Sequence, residues 1–285
     1  MSDLLIHPST LSQIDKFGRQ PSQAILIVGP TGSGKLSLAV TLAERILSIP
    51  QGTFGGYPYK LVLNNGDNKS IGIDEIRQLD GFMSLKVPSN EVYNRIIIIE
   101  DSHLMTIQAQ NALLKLLEEP PEFSVIILTS AKEKALLPTI RSRVQTMVIK
   151  QPSLPEVELY FNKKNVDTTT VKRAYAISGG LIGLMQSLVK ESDHPLILAT
   201  QKARQLLSQS VYDRIITIDE LAKQPVLVRD TVFILEQMAK ISLQSATGSS
   251  ALKWQAILET AYQAQTALSV SAQPKLVLAN LMLGL

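Results

Sequence analysis

The stretch AILIVGPTGSGKLSLAVTLAERIL, residues 24–47, decides the architecture. Ala24–Val28 is a short apolar run rich in β-formers, residues 29–35 are glycine-rich, and residues 36–47 place apolar side chains at helical spacing. Strand, loop and helix therefore follow one another. The loop Gly29-Pro30-Thr31-Gly32-Ser33-Gly34-Lys35 fits the pattern G-x-x-x-x-G-K. Glycines let the backbone curl so that successive N–H groups converge on phosphate oxygens, and the lysine adds positive charge near the terminal phosphates. A tight turn with an exposed lysine is the plainer alternative, and the flanking strand and helix argue against it. The next position departs from the full pattern. A Ser or Thr hydroxyl there ligates magnesium, whereas this chain has Leu36. Ser37 is a poor substitute, because one residue along a helix turns the side chain by about 100°. The expectation is a site for ATP or ADP with weak magnesium dependence.

Outward from this segment, strands and helices alternate. Residues 48–59 carry Gly and Pro at turn density, and LVLNN at 61–65 reads as a strand. Residues 71–85 read as a helix, with Ile73, Ile76, Leu79 and Phe82 on one face and Asp74 and Glu75 at its start. Four consecutive isoleucines in RIIIIED (95–101) describe a strand buried on both faces, as parallel sheets require. Thr106 stands where an N-cap belongs, and Pro120-Pro121 end the helix that follows it. SVIILTS (124–130) is the next strand. The class is α/β, with a parallel sheet covered on both faces.

Glu100 and Asp101 close the isoleucine strand. An active ATPase of this kind places an Asp there for the metal and then a Glu to polarise water, so the two lengths are reversed here. Glu100 is one methylene too long and Asp101 one too short, which leaves no firm metal ligand. Solvated carboxylates ending a strand are the equal alternative.

After about residue 150 the β-rich runs largely disappear. Segments 154–164, 169–190, 196–209, 226–246 and 251–269 read as helices, and breaks fall near Gln151-Pro152 and His194-Pro195. The expected division is 1–150 for the nucleotide-binding domain, 151–195 for a small helical lid and 196–285 for a helical collar. Val226, Val228, Val232, Leu235, Met238, Leu276, Leu278, Leu281 and Leu283 exceed what a small bundle needs, so the last segment reads as an oligomerisation surface; an ordinary bundle core is the alternative.

Composition sets outer bounds. With 285 residues and 45% apolar side chains, the chain has ample material for two or three cores. It has no cysteine, which excludes disulfides, a thiolate nucleophile and any cysteine-based zinc site. Net charge is +3, with 15 Lys/Arg against 14 Asp/Glu up to residue 150 and 13 against 11 after it. No basic run marks a dedicated nucleic-acid arm. The start MSDLLIHPST is not a signal peptide and no apolar run is long enough for a membrane, so a cytoplasmic protein is expected.

The stretch IIIIEDSHLMTIQAQNALLKLLEEPPEFSVIILTSAKEKALLPTIRSRVQ resembles the AAA+ modules of bacterial DNA polymerase III clamp-loader subunits, those of the delta-prime kind above all. Asn111-Ala112-Leu113-Leu114-Lys115, Leu117-Glu118-Glu119-Pro120-Pro121 and Leu137-Pro138-Thr139-Ile140-Arg141-Ser142-Arg143 carry the likeness, which is convincing over 21–150 and weak beyond. In that family a Ser-Arg-Cys element supplies an arginine finger to the ATP of a neighbouring subunit. Here it matches Ser142-Arg143, with Val144 in the cysteine position. A guanidinium suits that task because it is always charged and forks onto phosphoryl oxygens; a surface arginine in an ion pair is the alternative. Thr129 matches the first sensor residue, although a strand threonine satisfied by backbone would look the same. In SGGLIGLMQSL the glycines put Ile182 where motor subunits carry the arginine of a second sensor, and the four-cysteine zinc module of many relatives is replaced by residues 48–59.

The resemblance implies a stator-like subunit that helps load the sliding clamp onto primed DNA and supplies Arg143 to a neighbour while hydrolysing ATP weakly or not at all. Leu36, Glu100, Asp101 and Ile182 agree with it. An active motor of the gamma/tau kind is the alternative. Implied partners are gamma/tau-like motors, a delta-like wrench, the clamp, and primer-template DNA held by the whole ring. Lys69, Arg77 and Lys86 lie in the region such DNA contact would use.

Overall fold

The structure is a computed structural model and describes residues 5–64, 70–83, 95–190, 194–269 and 273–285. The chain divides into two compact units, Met1–Gln151 and Pro152–Leu285.

The first unit runs α1 (Pro8–Arg19), β1 (Ala24–Val28), α2 (Lys35–Ile46), β2 (Lys60–Leu63), α3 (Ile73–Met83), β3 (Arg95–Ile99), α4 (Ile107–Glu118), β4 (Ser124–Ser130), α5 (Pro138–Arg141) and β5 (Gln145–Val148). Its strands form one sheet in the order β2-β3-β4-β1-β5, with every pairing parallel. β3 is buried along its whole length. Strand alternation divides its isoleucines between two cores. Ile96 and Ile98 join Ile14 and Phe17 of α1 and Leu38 and Leu42 of α2, while Ile97 and Ile99 join Ile76 and Leu79 of α3 and Leu113 and Leu117 of α4. One run of a single residue type thus serves both faces.

Local chemistry bounds the elements. Thr106 caps α4, its hydroxyl accepting from the Ala109 N–H at 3.2 Å. The turn after α2 is organised from within that helix: Glu44 Oε1 accepts the N–H groups of Gly52 (2.7 Å) and Phe54 (3.2 Å), and the Phe54 ring buries beside α2. Two elements lie outside the periodicity reading. α1 buries only Thr10, Ile14 and Phe17, and Thr10 Oγ1 accepts the Lys150 N–H at 3.1 Å. β5 buries only Met147, too little for a hydrophobic pattern, and is placed by its ladder with β1.

The described elements of the second unit are helices: α6 (Leu154–Asn162), α7 (Thr168–Ser178), α8 (Ile182–Lys190), α9 (Ile197–Ser208), α10 (Val211–Ile216), α11 (Ile218–Leu221), α12 (Pro225–Ser245), α13 (Gly248–Ser269) and α14 (Pro274–Gly284). One apolar cluster runs through segments 151–195 and 196–285, joining Leu181 and Leu184 to Leu196, Val232, Leu235 and Leu281. The guanidinium of Arg214 is buried, donating to the carbonyls of Leu206 (2.7 Å) and Met282 (3.4 Å) and so tying α9 to α14. Residues expected as one helix over 169–190 are two, because Gly179 and Gly180 adopt φ of 61° and 75°. The apolar side chains singled out in the last segment divide between bundle core and surface. Val228, Val232, Leu235, Met238, Leu278 and Leu281 form the bundle core, and only Val226 (55% exposed), Leu276 (64%) and Leu283 (64%) of that set face outward.

The break at Gly179 is also a close approach: a Cβ there would stand 2.4 Å from Cβ of Gln237 on α12. A left-handed alanine with that overlap costs about 2–4 kcal/mol. Gly179→Ala is therefore expected to lower the urea midpoint of the second unit. The readout is the fluorescence of Trp254, the chain's single tryptophan, on α13. An unchanged midpoint would contradict this packing.

Candidate nucleotide site

The loop from Gly29 to Gly34 joins β1 to α2 at the carboxyl edge of the sheet, where parallel α/β folds place ligands. The Gly29 N–H continues the β1–β4 ladder by donating to the Ser130 carbonyl at 3.1 Å, and Ser33 N–H donates to the Pro30 carbonyl at 3.1 Å, curling the loop. Gly34 has φ of 82° and caps α2 without a side-chain bond, so the helix's first amides keep no intrahelical acceptor. A Cβ at Gly29 would stand 2.8 Å from Ser33 Oγ, so the loop tolerates no side chain there. Ser33 Oγ is itself buried without a protein partner, a polar atom inside the cradle that suits a bound anion. Thr31 is exposed at the loop's tip.

Lys35 begins α2 and is only 7% exposed. Its Nζ lies 3.6 Å from Asp101 Oδ1 and 3.4 Å from the Pro30 carbonyl oxygen. Burial lowers the lysine's pKa, and Asp101 and then Glu100 pull it back up. The lysine's carboxylate partner is thus Asp101, the residue whose spacing suggested a water-polarising role, rather than Glu100. Neither acid is a freely solvated strand end. The Asp101 side chain is 29% exposed and paired, while Glu100 is held above the usual carboxylate range by burial and then by Asp101, with Lys35 opposing. Leu36 is half-buried and packs against the apolar cluster beneath α2, and Ser37 faces solvent. Where the full glycine-loop pattern has a hydroxyl, this chain has a half-buried aliphatic side chain.

Thr129 is fully buried, and its hydroxyl accepts the Asp101 N–H at 3.0 Å; Ser102 Oγ donates to the Thr129 carbonyl at 2.8 Å. These two bonds hold Asp101 at φ of 45°, an unusual conformation for a residue with a side chain. His103 was overlooked by motif reasoning, yet it joins the site. Its Nδ1 accepts the Ala131 N–H at 3.3 Å and lies 3.9 Å from Asp101 Oδ1, which puts the ring hydrogen on Nε2. Burial keeps its pKa below the ordinary histidine value. The usable signal was position: a histidine four residues past the end of a central parallel strand lies at the carboxyl edge of the sheet, where such folds place ligands.

Arg143 follows α5, away from these groups in the contact network. Its Nη2 lies 2.8 Å from Glu118 Oε1, and its Nη1 donates to the Thr139 carbonyl at 3.0 Å. Ile182 opens α8 in the second unit and is buried. Arg77 is exposed beside Asp74 at 3.4 Å, while Lys69 and Lys86 lie outside the described residues. Among the described residues no helix is long and apolar enough to cross a membrane.

The half-buried Glu100 makes a pH prediction. Its folded-state pKa lies above its ordinary value of 4.5, so protonation favours the fold. Its favourable contribution is full below pH 4.5 and is lost as pH rises through the raised folded value. Glu100→Gln should therefore raise the calorimetric unfolding temperature at pH 7 and lose that advantage below pH 4. Equal gains at both pH values would refute the assignment.

Comparison with known proteins places this geometry in context. Residues 56–153 match the family described as DNA polymerase III, delta subunit. The delta-prime subunit of DNA polymerase III from Pseudomonas aeruginosa is 34% identical over 140 residues, covering 44% of this chain and 42% of that protein. The tau subunit from Bacillus subtilis is 27% identical over 259 residues, 76% of this chain and 45% of that protein. The chain spans about half the length of the relatives it matches. A crystal structure of a DNA polymerase III gamma subunit-related protein from Thermotoga maritima superposes with a TM-score of 0.52 at 21% identity, over 95% of this chain and 97% of that one, which shows the fold. The fold, a parallel α/β module with a glycine-rich loop followed by a helical unit, is shared with that structure, and residues 56–153 are similar to the DNA polymerase III delta-subunit family, with delta-prime and tau subunits among the relatives.

Proposed function

We propose that the chain is a stator-like subunit of a DNA polymerase III clamp loader, lending Arg143 to a neighbouring ATPase subunit and hydrolysing ATP weakly or not at all itself. The observation that carries this reading is Leu36. Where a metal-binding hydroxyl would stand, the chain has a half-buried aliphatic side chain packed against the apolar cluster, while the glycine loop and Lys35 around it are intact. Such a site retains nucleotide binding and forgoes much of the metal's contribution to phosphoryl transfer.

The residues fit ATP or ADP. The amides of Gly29–Gly34 and the first turn of α2 would hold its phosphates, Lys35 would exchange Asp101 for them, and Ser33 Oγ would gain a partner. Bound nucleotide would supply negative charge to an otherwise cationic loop and brace β1 against α2. Glu100 and Asp101 are the nearest acids for a magnesium ion, without a hydroxyl at residue 36 to complete its shell. Thr129 would act through Asp101, whose backbone it fixes.

In a ring, Arg143 would stabilise the charge that develops on the phosphoryl group held by a neighbour. Gamma/tau-like motors, a delta-like wrench, the sliding clamp and primer-template DNA are the partners of this proposal, and its domain plan keeps lid (151–195) and collar (196–285) as functional divisions. The second reading, an active gamma/tau-like motor, is favoured by intact Lys35 and by the long match to a tau subunit.

Two measurements separate these readings. Arg143→Ala in a reconstituted loader is expected to reduce clamp-stimulated ATP turnover by at least tenfold, in keeping with the contribution of arginine fingers; unchanged turnover would sink the stator reading. The purified chain should bind labelled ATP with an affinity that changes little when magnesium is removed, and Lys35→Ala should abolish the binding. Metal-dependent hydrolysis of order 1 per second by the isolated chain would favour the motor instead.

A further inference from the structure

Arg143 does not project freely from the surface. Its Nη1 donates to the carbonyl of Thr139 (3.0 Å) and approaches Ser142 Oγ (3.4 Å), both belonging to the turn that carries it. Its Nη2 is engaged from another element altogether, by Glu118 Oε1 at 2.8 Å from the last turn of α4. Each terminal nitrogen therefore has a hydrogen committed in cis. Those two nitrogens form the fork that a guanidinium offers to a pair of phosphoryl oxygens.

The two sets of contacts differ in kind. The Thr139 and Ser142 contacts are local and carry no charge, so they aim the side chain without opposing a phosphate. Glu118 carries a negative charge, and a carboxylate left beside the fork repels an incoming polyanion. The pair is also open to water, with side-chain exposures of 37% for Arg143 and 51% for Glu118. An ion pair in that setting is weak and exchanges readily. Geometry that orders a cation, combined with energetics that let it go, describes a holding contact.

We propose that Glu118 is a resting-state latch for Arg143: a positioning residue that occupies and neutralises the guanidinium in the free chain, and that yields to the phosphoryl oxygens of a nucleotide held by a partner. The inference rests on the reading of Arg143 as acting in trans. Glu118 then competes with the partner's nucleotide for the same fork. Its removal leaves the Thr139 and Ser142 contacts to aim the side chain and frees Nη2.

The experiment uses the full chain in a reconstituted loader and measures steady-state ATP hydrolysis for native, Glu118→Gln, Glu118→Ala and Arg143→Ala chains and for the two double variants. Both Glu118 variants are expected to lower the apparent KM for ATP by about two- to fivefold, the range that one exposed ion pair supplies, with kcat within twofold of native. The shift should vanish when Arg143 is alanine. An unchanged KM, a reduced kcat at constant KM, or a KM shift that survives Arg143→Ala overturns the latch while the trans role of Arg143 stands. If Arg143→Ala alone leaves hydrolysis unchanged, the trans role falls and the latch with it.

Discussion

The rest of the first unit depends on two strands that are buried on both faces. β3 and β4 sit side by side in the sheet, and helices cover them from either side, so their side chains have no access to water along their length. Charge cannot be placed within such strands without a large desolvation cost. Apart from Arg95 at the amino end of β3, whose buried guanidinium donates to the Met83 carbonyl at 2.8 Å, it is displaced to the carboxyl ends, where residues 100–103 and 129–131 meet the loop that follows β1. Polar groups that do enter the buried layer are each provided for: Thr129 and Ser130 accept backbone N–H groups, and Ser102 donates to a backbone carbonyl. The polar edge thus follows from the exclusion of charge from the aliphatic stretches Ile96–Ile99 and Val125–Leu128.

At that edge, one cation and two carboxylates share a confined space. Lys35 loses proton affinity through burial, Glu100 gains it for the same reason, and Asp101 stands between them. Burial thus sets the lysine and the glutamate toward their neutral forms, while the ion pair with Asp101 opposes that for the lysine. The substitution at residue 36 acts on a different axis. It replaces a hydroxyl with an aliphatic side chain at the head of α2 while the glycine loop and Lys35 keep their places.

The sequence made much of this arrangement legible, for identifiable reasons. β1, β3 and β4 are runs of aliphatic residues, α2 follows the glycine loop with apolar side chains at helical spacing, and α4 has a cap in Thr106 and a stop in Pro120-Pro121, so their types and order follow from pattern alone. β5 and α1 bury too few apolar side chains to show a period, and their places are decided by partners distant in the chain: β1 for the strand, and the Lys150 N–H for Thr10. The division of 169–190 into two helices depends on a contact between Gly179 and Gln237 that spacing cannot reveal. At the site, the glycine loop was evident, whereas the choice of Asp101 over Glu100 as the lysine's partner turned on a left-handed backbone at Asp101. That conformation is set by Thr129 on a neighbouring strand, a non-local bond. His103 belongs to the same class: its role depends on Ala131 and Asp101, not on any motif containing it.

The turn held by Glu44 has a consequence for how this protein meets its surroundings. Residues 48–59 are ordered by one carboxylate oxygen accepting two backbone amides, in a chain without a single thiol. Neither a chelator nor an oxidant has a handle on that turn. Its order rests on that carboxylate and on backbone acceptors within the turn, which need neither a metal ion nor a redox state to hold.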